Sequence, residues 1–151
     1  MENPVDLGAR LRPHLILRLT RQQLTFLENE AKKTSPIEAC ALLFGEVAES
    51  EATVERIVTT PNIMKSTTRF EIETKAFYDA FVAADRDGLA FLGFFHSHPA
   101  SAMPSSVDFT FMRLWGEAVW IIFSLTESKF AAFSMKKGKP HALILKIKGK
   151  D

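Results

Sequence analysis

Cysteine is nearly missing from this 151-residue chain. Cys40 stands alone, so no intrachain disulfide can form, and a cysteine-rich zinc finger or a secreted disulfide scaffold is excluded. Charge of one sign is not in excess either. The 19 basic residues face 18 acidic ones for a net charge of +1, which removes the electrostatic reason to expect bulk nucleic-acid binding. The longest apolar stretches, such as residues 89–95 and 118–123, are far too short to span a bilayer. The first residues, Met1-Glu2-Asn3-Pro4-Val5-Asp6, lack the basic-then-apolar order of a signal peptide. A soluble cytoplasmic protein with no nucleic-acid or membrane partner is therefore expected. Amide side chains are scarce, confined to Asn3, Gln22, Gln23, Asn29 and Asn62, a composition that withstands heat. No internal repeat or low-complexity block is visible. What is present, 46% hydrophobic and 25% charged residues, suits one domain that buries its core without staples.

Pro4, Gly8 and Pro13 interrupt any early periodicity, so residues 1–12 read as a flexible arm, 13–148 as the domain and 149–151 as a tail. Residues 14–19 form a short apolar strand. Thr20 followed by Gln23 is a capping-box signature, and Leu24, Leu27 and Ala31 share one helical face, which predicts a helix over 21–33 that ends at Ser35-Pro36. Residues 38–47 read as a buried strand and 52–60 as its hairpin partner, followed by an irregular polar loop at 61–68 and a brief extended segment at 70–72. Phe77, Ala80, Phe81 and Ala84 mark a second helix, from Thr74 to Asp87-Gly88. Residues 89–95 are apolar on both faces, as in a central strand covered by helices on each side. A third helix is expected over 106–115, and three strands at 118–125, 130–135 and 142–148, the last two separated by a turn at 136–140. The class is α/β (α+β), one mixed sheet flanked by helices.

Two of the four histidines close the central strand as His96-Ser97-His98-Pro99. Positions i and i+2 of a strand share a face, so both imidazoles aim at one point before Pro99 turns the chain. Further on, Ser105 is a good N-cap and Asp108 the third residue of the helix that follows, which puts one carboxylate in a first helical turn near the two imidazoles. Two nitrogens and one oxygen suit zinc and leave a fourth position for water. A base is then needed, and Glu38, at the start of an apolar strand, is the candidate: beside that water it would take the proton and pass it to a leaving amine, a position the sequence alone does not give. Ser105 is a candidate for helix capping, for stabilising the oxyanion, or for both. Taken singly, each feature has a plainer explanation: an exposed His-x-His, an ordinary helix cap, a solvated strand-edge glutamate. Cys40, between Ala39 and Ala41, reads as a small buried hydrophobe, and His14 and His141 as surface residues.

Together, in this order, Glu38, His96-Ser97-His98-Pro99 and Ser105-Ser106-Val107-Asp108 resemble the JAMM (MPN+) metalloprotease family, whose pattern is a glutamate, then His-Ser/Thr-His-Pro, then Ser-x-x-Asp. Pro36-Ile37-Glu38-Ala39-Cys40-Ala41-Leu42-Leu43-Phe44-Gly45 is similar to that family's first motif segment, and the element order matches from about residue 14 to 148. The resemblance implies a single MPN domain of cytidine-deaminase-like architecture, with one zinc per chain held by His96, His98 and Asp108. It also implies Glu38 as general acid/base and Ser105 as the residue that positions water or oxyanion. The implied reaction is hydrolysis of an isopeptide bond between a ubiquitin-like C-terminus and a lysine amine, with ubiquitin-like conjugates as substrates and the proteasome as a partner by way of the related lid deubiquitinase. The chain looks like a minimal archaeal or bacterial form. Residues 61–70 and 99–104 are candidates for the groove that takes the extended substrate tail.

Two departures stand out: Ala41 replaces a usual glycine, and the spacing from His98 to Asp108 is one residue short of the family's. Two other readings stand beside it, and the sequence does not separate the first of them from the isopeptidase. A peptidase that trims ubiquitin-like or sulfur-carrier proteins would need the same centre. A non-catalytic MPN scaffold would tolerate the loss of ligands, and none is lost here. A nucleotide deaminase would need a Pro-Cys-x-x-Cys motif that a lone Cys40 cannot supply.

Overall fold

A computed structural model describes residues 16–116 and 118–149. Its elements follow in the order β1 (Ile16–Leu19), α1 (Arg21–Thr34), β2 (Cys40–Ala48), β3 (Glu51–Thr60), α2 (Thr74–Arg86), β4 (Ala90–His98), α3 (Ser106–Leu114), β5 (Val119–Ser124), β6 (Lys129–Lys136), β7 (Lys139–Ala142) and β8 (Ile144–Ile147). All eight strands belong to one mixed sheet in the order β7-β6-β5-β4-β2-β3-β1-β8. The expected α+β class and hairpin are present: β2 and β3 pair antiparallel from Cys40 opposite Thr60 to Ala48 opposite Glu51. β4 is central, antiparallel to β2 and parallel to β5. Among the described residues no helix is long and apolar enough to cross a membrane.

Local chemistry explains the helix starts. Thr20 Oγ1 accepts from the Gln23 N–H at 3.0 Å while Gln23 Oε1 accepts from the Thr20 N–H at 2.9 Å, a complete capping box that opens α1. Alternation in β2 then divides the core. Ala41 and Leu43 face α1, where Leu27 and Ala31 meet Leu17, Leu19, Phe95, Ile121 and Phe123. Leu42 and Phe44 face the other layer, where Phe77, Phe81 and Ala84 of α2 and Met112 of α3 meet Phe91, Phe94, Trp120 and Ile122. Each large side chain so removed from water contributes about 1.5–3 kcal/mol, and the second layer adds edge-on and stacked ring pairs such as Phe94 on Trp120 at 4.6 Å.

The register between β2 and β4 shifts near Gly93, so Phe91 and Phe94, three residues apart, share a face, and Phe94, His96 and His98 continue along it. Gly93 is required there: a Cβ would lie 1.8 Å from the Val119 carbonyl oxygen of the neighbouring strand.

Three details differ from the sequence reading. The ladder of β2 begins at Cys40, so Glu38 stands just outside it. Phe70, Glu71 and Ile72 belong to no strand. At the C-terminus the expected turn is shorter and the single expected strand is two. Pro140, which suggested a turn, sits in β7 opposite Met135. β7 is the last strand of the sheet, and an edge tolerates the missing N–H of proline. After Leu143 the chain continues as β8, which pairs with β1 at the opposite edge, so one short segment serves both ends of the sheet. The expected arm at 1–12, with His14 and residues 150 and 151, lies outside the described residues.

Candidate metal centre

The C-terminal end of β4 carries His96 and His98 on the face shared with Phe94. β2 flanks it on one side, with Cys40 opposite His96, and β5 on the other, with Ser124 opposite His98. The loop after Pro99 returns across this end and is strapped down. The hydroxyls of Ser124 and Thr126 donate to the carbonyls of Ala100 and Pro99, and Ala102 N–H donates to Glu127 Oε1 at 3.2 Å. α3 then opens with a second capping box: Ser105 Oγ accepts from Asp108 N–H at 3.1 Å, and Asp108 Oδ2 accepts from Ser105 N–H at 2.8 Å. The cap aims the Asp108 carboxylate back at the strand end, where Oδ1 lies 3.2 Å from His96 Nε2 and Oδ2 lies 3.1 Å from His98 Nε2. The two Nε2 atoms are 3.0 Å apart. The shorter spacing between His98 and Asp108 is thus absorbed in the loop.

The two Nε2 atoms and the Asp108 carboxylate converge, with a different carboxylate oxygen facing each imidazole. Zinc ligands at about 2.0–2.1 Å in a tetrahedron stand about 3.3 Å from one another, and each of these separations is close to that edge. The tautomer is suited to it. His98 Nδ1 lies 2.8 Å from the Ser101 carbonyl oxygen and donates to it, which leaves Nε2 free to ligate. Glu38 completes the group, with Oε2 3.9 Å from His98 Nε2. Glu38, His96 and His98 each offer one ligand atom within 4.8 Å of the others, so two carboxylates compete for the third place. Distance favours Asp108, which is near both imidazoles, over Glu38 at 3.9 Å.

All four side chains are buried, none more than 7% exposed, and that sets their protonation. Burial pushes the Glu38 carboxyl up to about 8, with neighbouring Asp108 adding to the rise and His98 opposing it. Asp108 also suffers burial, but both imidazoles and the Ser105 N–H outweigh it and hold the carboxyl far below the usual range. Burial lowers His96 despite Asp108. For His98 burial is outweighed by its bonds to Asp108 and Ser101, and the net direction is up. Among the described residues Glu38 Oε1 and His96 Nδ1 have no hydrogen-bond partner. A buried carboxylate oxygen without a partner, facing three convergent donors, fits a centre that receives a metal and a water or substrate oxygen.

Sequence reasoning placed Glu38, His96, His98, Ser105 and Asp108, and the structure brings all five together, with Ser105 seen as the cap. It missed the residues around them. Ser97 accepts from Ala39 N–H through Oγ at 2.8 Å while its own N–H donates to the Ala39 carbonyl at 3.1 Å. Phe70 stacks on His96 with centroids 4.8 Å apart. Asn62 donates to the Glu38 carbonyl at 3.2 Å. Their only signals were a serine inside a motif, an aromatic in a polar segment and a rare amide. Burial, with its contact to Thr60 opposing and Glu38 adding, pushes the Cys40 thiol up to about 11, which disfavours the thiolate a nucleophile needs. His141 is exposed on β7, as expected.

A family model of prokaryotic homologs of the JAB domain matches residues 22–136. The chain belongs to this family, a branch of the JAMM/MPN group. The JAB-domain protein is 30% identical over 118 residues to a desampylase of Pyrococcus furiosus, a match that spans 78% of this chain and 73% of the relative. Its fold is similar to the solution structure of a Desulfitobacterium hafniense protein, with a TM-score of 0.75 and 30% identity over 89% of this chain and 94% of the other.

Proposed function

We propose that this JAB-domain protein is a zinc-dependent isopeptidase that cleaves the bond between the C-terminus of a ubiquitin-like modifier and a lysine amine. The observation that carries the reading is the convergence of His96 Nε2, His98 Nε2 and the two Asp108 carboxylate oxygens at contacts of 3.0–3.2 Å, with Glu38 Oε2 3.9 Å from His98 Nε2. The likeness to a relative named desampylase supports the substrate class.

His96, His98 and Asp108 would hold the ion. When bound, zinc supplies Lewis-acid chemistry, polarising the scissile carbonyl and making water acidic enough to attack near neutral pH. Glu38 carries the proton. As the carboxylate it takes a proton from the attacking water and returns it to the lysine nitrogen as the C–N bond breaks. Ser105 Oγ already accepts from Asp108 N–H, so its own proton is free to be donated to the oxygen that becomes negative.

The test is elemental analysis of the purified protein, then hydrolysis of a ubiquitin-like modifier joined through its C-terminal carboxyl to the lysine side chain of a fluorescent peptide. About one zinc per chain and zinc-dependent release of the peptide are expected. Cleavage of only the linear fusion would make the protein a C-terminal processing peptidase. A zinc-loaded protein inert toward both would leave the scaffold role.

A further inference from the structure

We propose that Asn62 is a positioning residue for Glu38, an inference that rests on Glu38 being the proton carrier. Glu38 precedes the first residue of β2, so no ladder holds its peptide group. Its N–H donates to the Ser66 carbonyl at 2.9 Å, and its carbonyl accepts from Asn62 Nδ2 at 3.2 Å. Among the described residues the side chain has no hydrogen-bonded anchor: Oε1 lacks a partner, and Oε2 makes a 3.9 Å approach to His98. The direction of the carboxyl is therefore set from the backbone.

The Asn62 amide is fully used. Its second Nδ2 proton goes to the Arg69 carbonyl at 3.0 Å, and Oδ1 accepts from Met64 N–H at 3.0 Å and Glu71 N–H at 3.1 Å. Two acceptor contacts fold the loop on itself, and one donor contact hangs Glu38 from it. Only an amide has both functions in one planar group. Asn62 makes none of its hydrogen bonds to His96, His98 or Asp108. Its loss should misplace the proton carrier and leave the ligands where they are. A misplacement on the order of 1 Å at a reacting group costs up to about a hundredfold in rate.

Asn62→Asp separates the two functions, because it keeps Oδ1 for Met64 and Glu71 and turns an oxygen toward the Glu38 and Arg69 carbonyls. With the zinc-loaded protein and the modifier–peptide probe, kcat should fall about ten- to a hundredfold with KM within about twofold. Zinc affinity, and the visible absorption of the cobalt-substituted protein, should match the wild type. Under single-turnover conditions with enzyme in excess, Asn62→Asp should cost nothing further in a Glu38→Gln background. Asn62→Ala, which adds no charge, is read by the same criteria if the aspartate variant does not fold. An unchanged kcat, an equal loss in both backgrounds, or a parallel loss of metal would overturn the assignment. If Glu38→Gln itself turns over at the wild-type rate, the Glu38 reading falls first. If Glu38→Gln is inactive and Asn62→Asp is not impaired, the Asn62 assignment falls alone.

Discussion

His96, His98 and Asp108 hang from regular structure, whereas Glu38 hangs from a loop. The imidazoles lie in the ladder between β2 and β5, and Asp108 is locked into the first turn of α3 by a reciprocal cap. Glu38 sits two residues before its strand, its peptide group tied by Ser66 and Asn62 and the next residue tied by Ser97. A ladder and a capped helix hold donor atoms to a few tenths of an ångström, which a ligand triangle needs. Loop bonds hold a proton carrier that has to approach water, substrate and leaving group in turn. Breaking the first half should empty the centre; breaking the second should leave it loaded and slow.

The sharpest cut is His98→Ala. Two remaining donors hold a divalent ion poorly, so zinc content should fall from about one per chain to none, with activity lost alongside. Tightly bound zinc in this variant would remove His98 from the ligand set. Glu38→Gln cuts the other half: zinc content stays at the wild-type level while kcat drops by about 10²–10⁴-fold, the usual contribution of a general acid/base. Loss of metal in Glu38→Gln would instead make Glu38 a ligand, the alternative that its closeness to both imidazoles leaves chemically available.

The same variant has an opposite, smaller effect on the metal-free protein. Glu38 is raised by burial from 4.5 to about 8, so the folded state holds a proton that the unfolded state releases between those values. Stability attributable to this group therefore falls as pH rises from about 4.5 to 8 and is level above that. Glutamine cannot ionise. Metal-free Glu38→Gln should unfold in urea much like the wild type at pH 5 and be more stable by on the order of 2–4 kcal/mol at pH 8.5. Equal stabilities at both pH values would mean that the carboxylate is solvated in solution.

What could be seen in the sequence, and what could not, divides along the same line. The His-x-His pair and the Ser-x-x-Asp cap are local: a strand period of two and a helix turn of four residues put those side chains together whatever else the chain does. Element types followed for the same reason, from periodicity and caps. Pro140 misled because proline marks a turn locally and a sheet edge only once the sheet exists. The partners of Glu38 are not local at all. Asn62 lies 24 residues from Glu38, and Ser97 lies 58 from Ala39, so their bonds exist only after the hairpin and the central strand have formed. No pattern within a loop announces that its one amide will meet a glutamate carbonyl.

Phe70 probes where the two halves touch. It belongs to the loop side, yet its ring lies on His96 at 4.8 Å and 27°. A ligating imidazole usually has its second nitrogen bonded to a carboxylate or carbonyl, which fixes the ring plane. His96 Nδ1 has no such partner, so an aromatic face takes over that duty. Phe70→Leu keeps the apolar cover and removes the flat surface. Zinc affinity, measured by competition with a chelator, should weaken by about tenfold, the low end of what loss of an orienting contact costs. Unchanged affinity would mean that the ladder and Asp108 orient His96 unaided and that the loop serves Glu38 alone. A weakened site would make the loop a support for both halves, so any variant that loosens residues 61–73 should lose some metal as well as speed.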